Sequence, residues 1–202
     1  MGNFFDSIEG MYTAKAFYFT FYGAASLLIP FLTLHYESLG LNGRQIGLLT
    51  GIVPIVTLIS SPIWGAIADA TQKHKTVLLC AAGSMWAAVL AVSRAQSFAQ
   101  LIPIVIWYAF SFAPIIPLVD NSVVALLGEN KHHYGRVRVW GSYGWGIIAL
   151  LAGWLLDTAG LPWLFNISLI IFAGMVIVAW RMEIRPVPLS GSFQSGFWEL
   201  MK

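Results

Sequence analysis

Ala113-Pro-Ile-Ile-Pro-Leu-Val-Asp-Asn-Ser-Val-Val-Ala-Leu-Leu127, followed after a short polar link by Tyr134-Gly-Arg-Val-Arg-Val-Trp-Gly-Ser-Tyr-Gly-Trp145, is the stretch that decides how this chain is read. It places Asp120 inside one apolar run and Arg138 at the start of the next, eighteen positions later. In water the two would say little. In hydrocarbon a lone charge at a helix centre costs about 2.5–3.5 kcal/mol on insertion scales, so residues of this kind mark partners or sites.

The composition says that hydrocarbon is the right solvent. Hydrophobic residues make up 58% of the 202 and charged residues 10%, with a mean hydropathy of +0.75, against about 25% charged in soluble domains. Apolar runs extend over Ala16 to Tyr36, Ile46 to Ala68, Thr76 to Ser93, Phe98 to Leu127, Val139 to Leu156 and Leu161 to Trp180. A membrane-spanning helix needs about 20 apolar residues. The runs therefore predict an all-α membrane protein with six transmembrane helices.

Basic residues orient them. With the N-terminus in the cytoplasm, the inner segments carry Lys15, Lys73, Lys75, Lys131, Arg136, Arg138, Arg181, Arg185 and Lys202, and the outer loops carry Arg44 and Arg94. This positive-inside bias places both termini in the cytoplasm, and the net charge of +2 follows from it and gives no warrant for a nucleic-acid partner. Residues 1–11 are polar and mildly acidic and the first apolar run is long for a signal segment, so the first helix is expected to be retained. The single cysteine, Cys80, excludes a disulfide framework. His35, His74, His132 and His133 all fall at helix ends or in loops without metal-ligand spacing, so they are expected to be solvated and neither a metal nor a cofactor is assigned.

The links between runs are short and leave no room for a soluble domain. Residues 1–181 are read as one helical bundle. From residue 182 the chain turns to Pro, Ser and Gly and reads as a cytoplasmic linker, with a short amphipathic helix on the membrane surface over residues 193–202 as one option and a frayed end as the other. Pro30, Pro54, Pro62, Pro103, Pro114 and Pro117 fall within the runs. Each removes a helix hydrogen bond, which membranes tolerate where a neighbour or a cavity satisfies the freed carbonyl. Pro114 and Pro117 stand within two turns of Asp120.

Asp120 lies seven residues before Leu127, about 10 Å from the end of its helix. Arg138 lies near the start of the next helix, so an antiparallel hairpin lets the two meet. Arg136 is about 200° away on the same helix and cannot share that face. Ser142 and Trp145 do share it, and Gly146, Ala149 and Gly153 continue a small-residue stripe beside them, expected to allow close helix approach. A polar planar ligand held by Asp120 and Arg138 while stacking on Trp145 would satisfy all three groups. The plainer reading is a salt bridge that staples two helices, with Trp145 as packing. An intramembrane enzyme would need a buried nucleophile beside a base, and Ser84, Ser111 and Ser142 have no intramembrane histidine along the sequence.

The acid on the fourth helix followed by aromatic-Gly-Arg-x-Arg-x-aromatic-Gly-small-x-Gly-Trp resembles the N-terminal six-helix half of major facilitator superfamily transporters. The branch is that of the lactose permease, other oligosaccharide–proton symporters and phenylpropionate permease-like proteins. The resemblance covers nearly the whole chain and implies half of a major facilitator fold, built as a 3+3 inverted repeat. It implies substrate contacts from Asp120, Arg138 and Trp145, with Asp120 standing where the lactose permease has Glu. A second, partial mark of the family is the loop Gly65-Ala-Ile-Ala-Asp69-Ala-Thr-Gln-Lys73-His-Lys75, where Ala70 and Gln72 replace the family's basic residue and glycine. Asp69 there either biases a cytoplasmic gate by pairing with a basic residue or capping a helix, or is an interfacial acid beside a solvated basic loop. The function implied is transport of a small sugar-like or aromatic organic solute across the inner (plasma) membrane, as proton-coupled symport by alternating access. The partners implied are the solute, the bilayer and a C-terminal six-helix half. A half-size transporter acting as a homodimer is the alternative.

Overall fold

The computed structural model describes residues 2–182 and residue 184, with side chains from Gly10 onward. The expected linker and surface helix lie outside the described residues, apart from Met182 and Ile184. Every regular element among the described residues is helical: α1 Gly2–Leu28, α2 Leu32–Ser38, α3 Gly43–Thr71, α4 His74–Arg94, α5 Phe98–Phe112, α6 Ile115–Leu127, a 3-10 turn Gly128–His133, α7 Tyr134–Ala159 and α8 Leu161–Arg181.

Five helical stretches are long and apolar enough to cross a membrane: Gly10–Ser38, Gly43–Thr71, His74–Arg94, Phe98–Ala159 and Leu161–Arg181. The fourth is 62 residues long, about three times what a bilayer needs. The 3-10 turn Gly128–His133 divides it, leaving α5 with α6 on one side and α7 on the other.

The prolines divide into two kinds. Pro30 and Pro114 fall at breaks, between α1 and α2 and between α5 and α6, whereas Pro54 and Pro62 lie inside an uninterrupted α3 and Pro103 inside α5. Pro114 has no N–H to offer the carbonyl of Phe110 four residues earlier. The indole of Trp64 on α3 donates to that oxygen instead at 2.9 Å, so a neighbouring helix supplies the missing bond. Helix starts are set by local chemistry. Asn42 and Gln45 form a reciprocal capping box at α3, and Ser97 accepts from the Gln100 amide at α5.

α1 is the inner helix, packing mainly on α7 and α8. Phe17, Tyr18, Phe21, Ala24 and Ala25 are all buried. Phe21 stacks on Phe112 at 5.8 Å and meets Phe172 edge-on at 6.3 Å, tying α1, α5 and α8 into one aromatic core. α4 closes that core with Ala81, Ala82, Met85 and Ala88, all fully buried. α3 is the opposite case. Only 11% of its apolar window is buried, and Ile55, Leu58 and Ile59 are more than 60% exposed. An apolar helix uncovered over most of its surface is suited to lipid; together with the other spans it marks an integral membrane protein.

Candidate functional site

Asp120 on α6, Arg138 on α7 and two tyrosines of α1 converge between the three helices. Tyr18 and Tyr22 stand one turn apart and so project from the same face of α1. The Tyr18 hydroxyl donates to Asp120 Oδ1 at 2.5 Å, and Arg138 Nη2 donates to the Tyr22 hydroxyl. Arg138 Nε lies 3.7 Å from the same Asp120 oxygen, an ion-pair distance. It is longer than the roughly 2.7–2.9 Å of a charge-assisted hydrogen bond. The guanidinium carbon sits 5.0 Å from the Tyr18 ring centre and 4.6 Å from that of Tyr22, within cation–π range of both. Asp120 and Arg138 remain 29% and 32% exposed.

What lets α7 come this close to α1 is glycine. A Cβ at Gly144 would overlap the backbone of Phe19, and one at Gly141 would lie 2.6 Å from the Tyr22 ring. The close-approach stripe is therefore Gly141 and Gly144. The expected stripe Gly146, Ala149 and Gly153 is not the contact: a Cβ at Gly146 or Gly153 would meet nothing within 4 Å, and Ala149 is only half-buried. These lie on the opposite flank of the Arg138 face, and Gly146 borders a cleft.

That cleft, of about 420 Å³, is lined by Tyr22, Arg138, Gly141, Ser142, Trp145 and Gly146. Its volume falls in the range of small-molecule sites, roughly 300–1,000 Å³. Arg138 and Trp145 thus share one cavity, as their common helix face implied. Asp120 meets Arg138 but is not part of the lining. Arg136 is exposed.

The gating-loop residues lie at the α3–α4 corner. Asp69 Oδ1 is 3.4 Å from His74 Nε2, so the partner of this acid is the histidine. Lys73 is exposed, Lys75 half-buried, and a Cβ at Gly65 would meet nothing within 4 Å. Gln72, where the resemblance leads one to expect glycine, ends α3 in the left-handed region at φ 54°. Glycine is favoured there because any other residue crowds its own Cβ. Its side-chain amide donates to the Asp69 carbonyl at 2.7 Å.

Two of the histidines are not solvated as expected. His35 is 9% exposed, bonded through Nε2 to the Val92 carbonyl at 3.3 Å and packed edge-on against Phe165. The His74 side chain is 11% exposed. Ser84 and Ser111 hydrogen-bond each other at 2.9 Å, and the Trp107 indole donates to Ser84.

Tyr18 and Tyr22 were not singled out from the sequence. Their only signal is an i, i+4 pair of hydroxyls within an aromatic run, with partners more than a hundred positions away.

Membrane-length helices carry a charge cluster beside an aromatic-walled cleft of small-molecule size, and together they define an integral membrane protein. Comparison with known proteins makes this specific. The model of the MFS_1 like family matches residues 11–188. The chain belongs to that family, within the major facilitator superfamily of transporters. A maltose permease of Geobacillus stearothermophilus is 30% identical over 179 residues, covering 87% of this chain and 45% of the relative. Multidrug resistance protein MdtG of Yersinia enterocolitica is 29% identical, covering 82% and 42%. A protein of Escherichia coli named "Probable 3-phenylpropionic acid transporter" is 26% identical, covering 67% and 36%. This chain spans less than half the length of each of these relatives.

Proposed function

We propose that this chain forms one six-crossing half of a solute transporter that works by alternating access. The observation that carries the reading is the half-buried Asp120–Arg138 pair beside a cleft walled by Trp145 and Tyr22. Ionisable residues within membrane helices mark substrate or ion pathways, and a ring face beside a cation supplies both shape and charge recognition. The names of the relatives, all transport or resistance proteins, favour a transporter over an enzyme.

In this reading Phe98–Ala159 crosses twice, which gives six crossings arranged as a 3+3 inverted repeat and puts both termini in the cytoplasm of a cell whose inner membrane holds the protein. Residues 1–181 are the bundle and residues from 182 begin the link to a second, C-terminal half. That half supplies the opposite wall, since transporters of this architecture bind near the midplane between repeats. Substrate is a small polar solute, sugar-like or an aromatic acid, moved with a proton. Asp69, Gly65, Lys73 and Lys75 of the α3–α4 corner form the cytoplasmic gate.

The test is uptake of labelled solute into energised membrane vesicles by the complete protein. Accumulation is expected to stop when a protonophore collapses the gradient, while exchange of external for internal solute persists. Accumulation indifferent to the protonophore contradicts proton coupling. Exchange left unchanged by Arg138→Ala contradicts the site.

A further inference from the structure

We propose that Tyr18 is a specificity-determining residue that engages Asp120 and leaves Arg138 facing the cleft as its charge, so that this half of the site selects a ring-bearing carboxylate over a neutral polyol. The inference rests on the cleft being the ligand site.

Asp120 Oδ1 accepts from Tyr18 at 2.5 Å, Arg138 Nε stands 3.7 Å from that oxygen, and the Tyr134 hydroxyl lies beside the same acid. A guanidinium and a carboxylate left to themselves form two parallel bonds at roughly 2.7–2.9 Å. Here Nη2 is committed to the Tyr22 hydroxyl, and Nη1 lies 3.2 Å from the position a Gly141 Cβ would take, at the cleft wall. The two tyrosine rings flank the cation on the α1 side. The pair is therefore held apart; Arg138 lines the cavity, whereas Asp120, about as exposed as Arg138, lies outside that lining with one oxygen engaged by Tyr18.

A ligand entering the cleft meets a guanidinium, the Tyr22 and Ser142 side chains and the Trp145 ring. A carboxylate accepts charge-assisted bonds from the free edge of the guanidinium; an uncharged hydroxyl forms the weaker neutral-acceptor bond. Selectivity is the difference between those two affinities. Removing the Tyr18 hydroxyl frees Asp120 to close on Arg138, where it competes with the ligand's carboxylate as an internal one.

The experiment is equilibrium binding to the complete purified protein of benzoate, phenylacetate and 3-phenylpropionate, each against its primary amide, and of maltose. At least one carboxylate is expected to bind more than tenfold tighter than its amide and tighter than maltose. Tyr18→Phe is expected to cut that carboxylate-to-amide ratio at least fivefold with amide affinity unchanged. Tyr18→Phe combined with Asp120→Asn is expected to restore it. General damage to the fold would lower both affinities together and leave the ratio where it was. Should Tyr18→Phe not fold, Asp120→Asn alone decides: carboxylate affinity holds or rises if the acid is a competitor, and a fall overturns the proposal. A ratio of one across the series, or maltose bound in preference to every carboxylate, also overturns it. If Arg138→Ala changes the binding of no probe, it is the site itself that fails. If Arg138 matters but the ratio is one, only this inference does.

Discussion

Asp120 and Asp69 each meet a basic side chain, but one is met across the fold and the other along the chain. The partners of Asp120 are Arg138 on α7, eighteen positions on, and Tyr18 on α1, 102 positions back. Asp69 meets His74 five residues later, across the α3–α4 corner. The first cluster depends on three helices keeping their spacing and opens beside a cleft. The second depends on the geometry of a single turn. Disturbing the first should therefore change what the protein binds, and disturbing the second how its helices move.

The hardest way to break the first cluster is through its glycine seam. Gly144→Val would drive a branched side chain into the Phe19 backbone, and overpacking of a closed contact costs about 1–3 kcal/mol or more. Loss of folded protein, read by detergent-solubilised yield and melting temperature, is expected. Gly146→Val, facing open space at the cleft, should fold normally and weaken ligand binding. Equal yields for the two variants would contradict the assignment of the seam. Next in size is Trp145→Ala. A ring–ring contact contributes about 0.5–1.5 kcal/mol beyond its buried area, so ligand affinity should fall up to about tenfold with yield unchanged, measured by equilibrium binding.

For the corner, Asp69→Asn should reduce the transport rate severalfold while leaving equilibrium ligand affinity intact. A loss of binding would mean that the two regions are not separable in this way. The smallest effect belongs to Gln72→Gly. It relieves a left-handed backbone at φ 54° but gives up the side-chain bond to the Asp69 carbonyl and adds unfolded-chain entropy. A net stabilisation of about 0.5 kcal/mol is expected, visible as a small rise in melting temperature; a fall would show that the Gln72 side chain outweighs the strain.

Much of this was readable in the sequence, and the reason is periodicity. Apolar runs of bilayer length mark helices whatever they pack against, and the hairpin spacing brings Asp120 to Arg138 with little else needing to be known. The helical wheel likewise puts Trp145 beside Arg138 and Arg136 away from it. The wheel gives angles but not neighbours, so it assigned close approach to Gly146 and Gly153 when Gly141 and Gly144 face α1. Nothing local distinguishes Tyr18 and Tyr22 from the phenylalanines around them, because their roles are fixed by residues of α6 and α7. His35 sits near a helix end in sequence yet is buried, since Pro30 interrupts the helix and α2 carries His35 against Val92 and Phe165.

Equilibrium binding of the transported solute to Arg138→Ala in the complete protein decides whether ligand binds at the cluster of α1, α6 and α7. Truncating a charged side chain that hydrogen-bonds a bound ligand costs about 2 kcal/mol or more, a loss of roughly thirtyfold in affinity. At least that loss is expected with folded yield retained; affinity equal to that of the unmodified protein would show that ligand binds elsewhere.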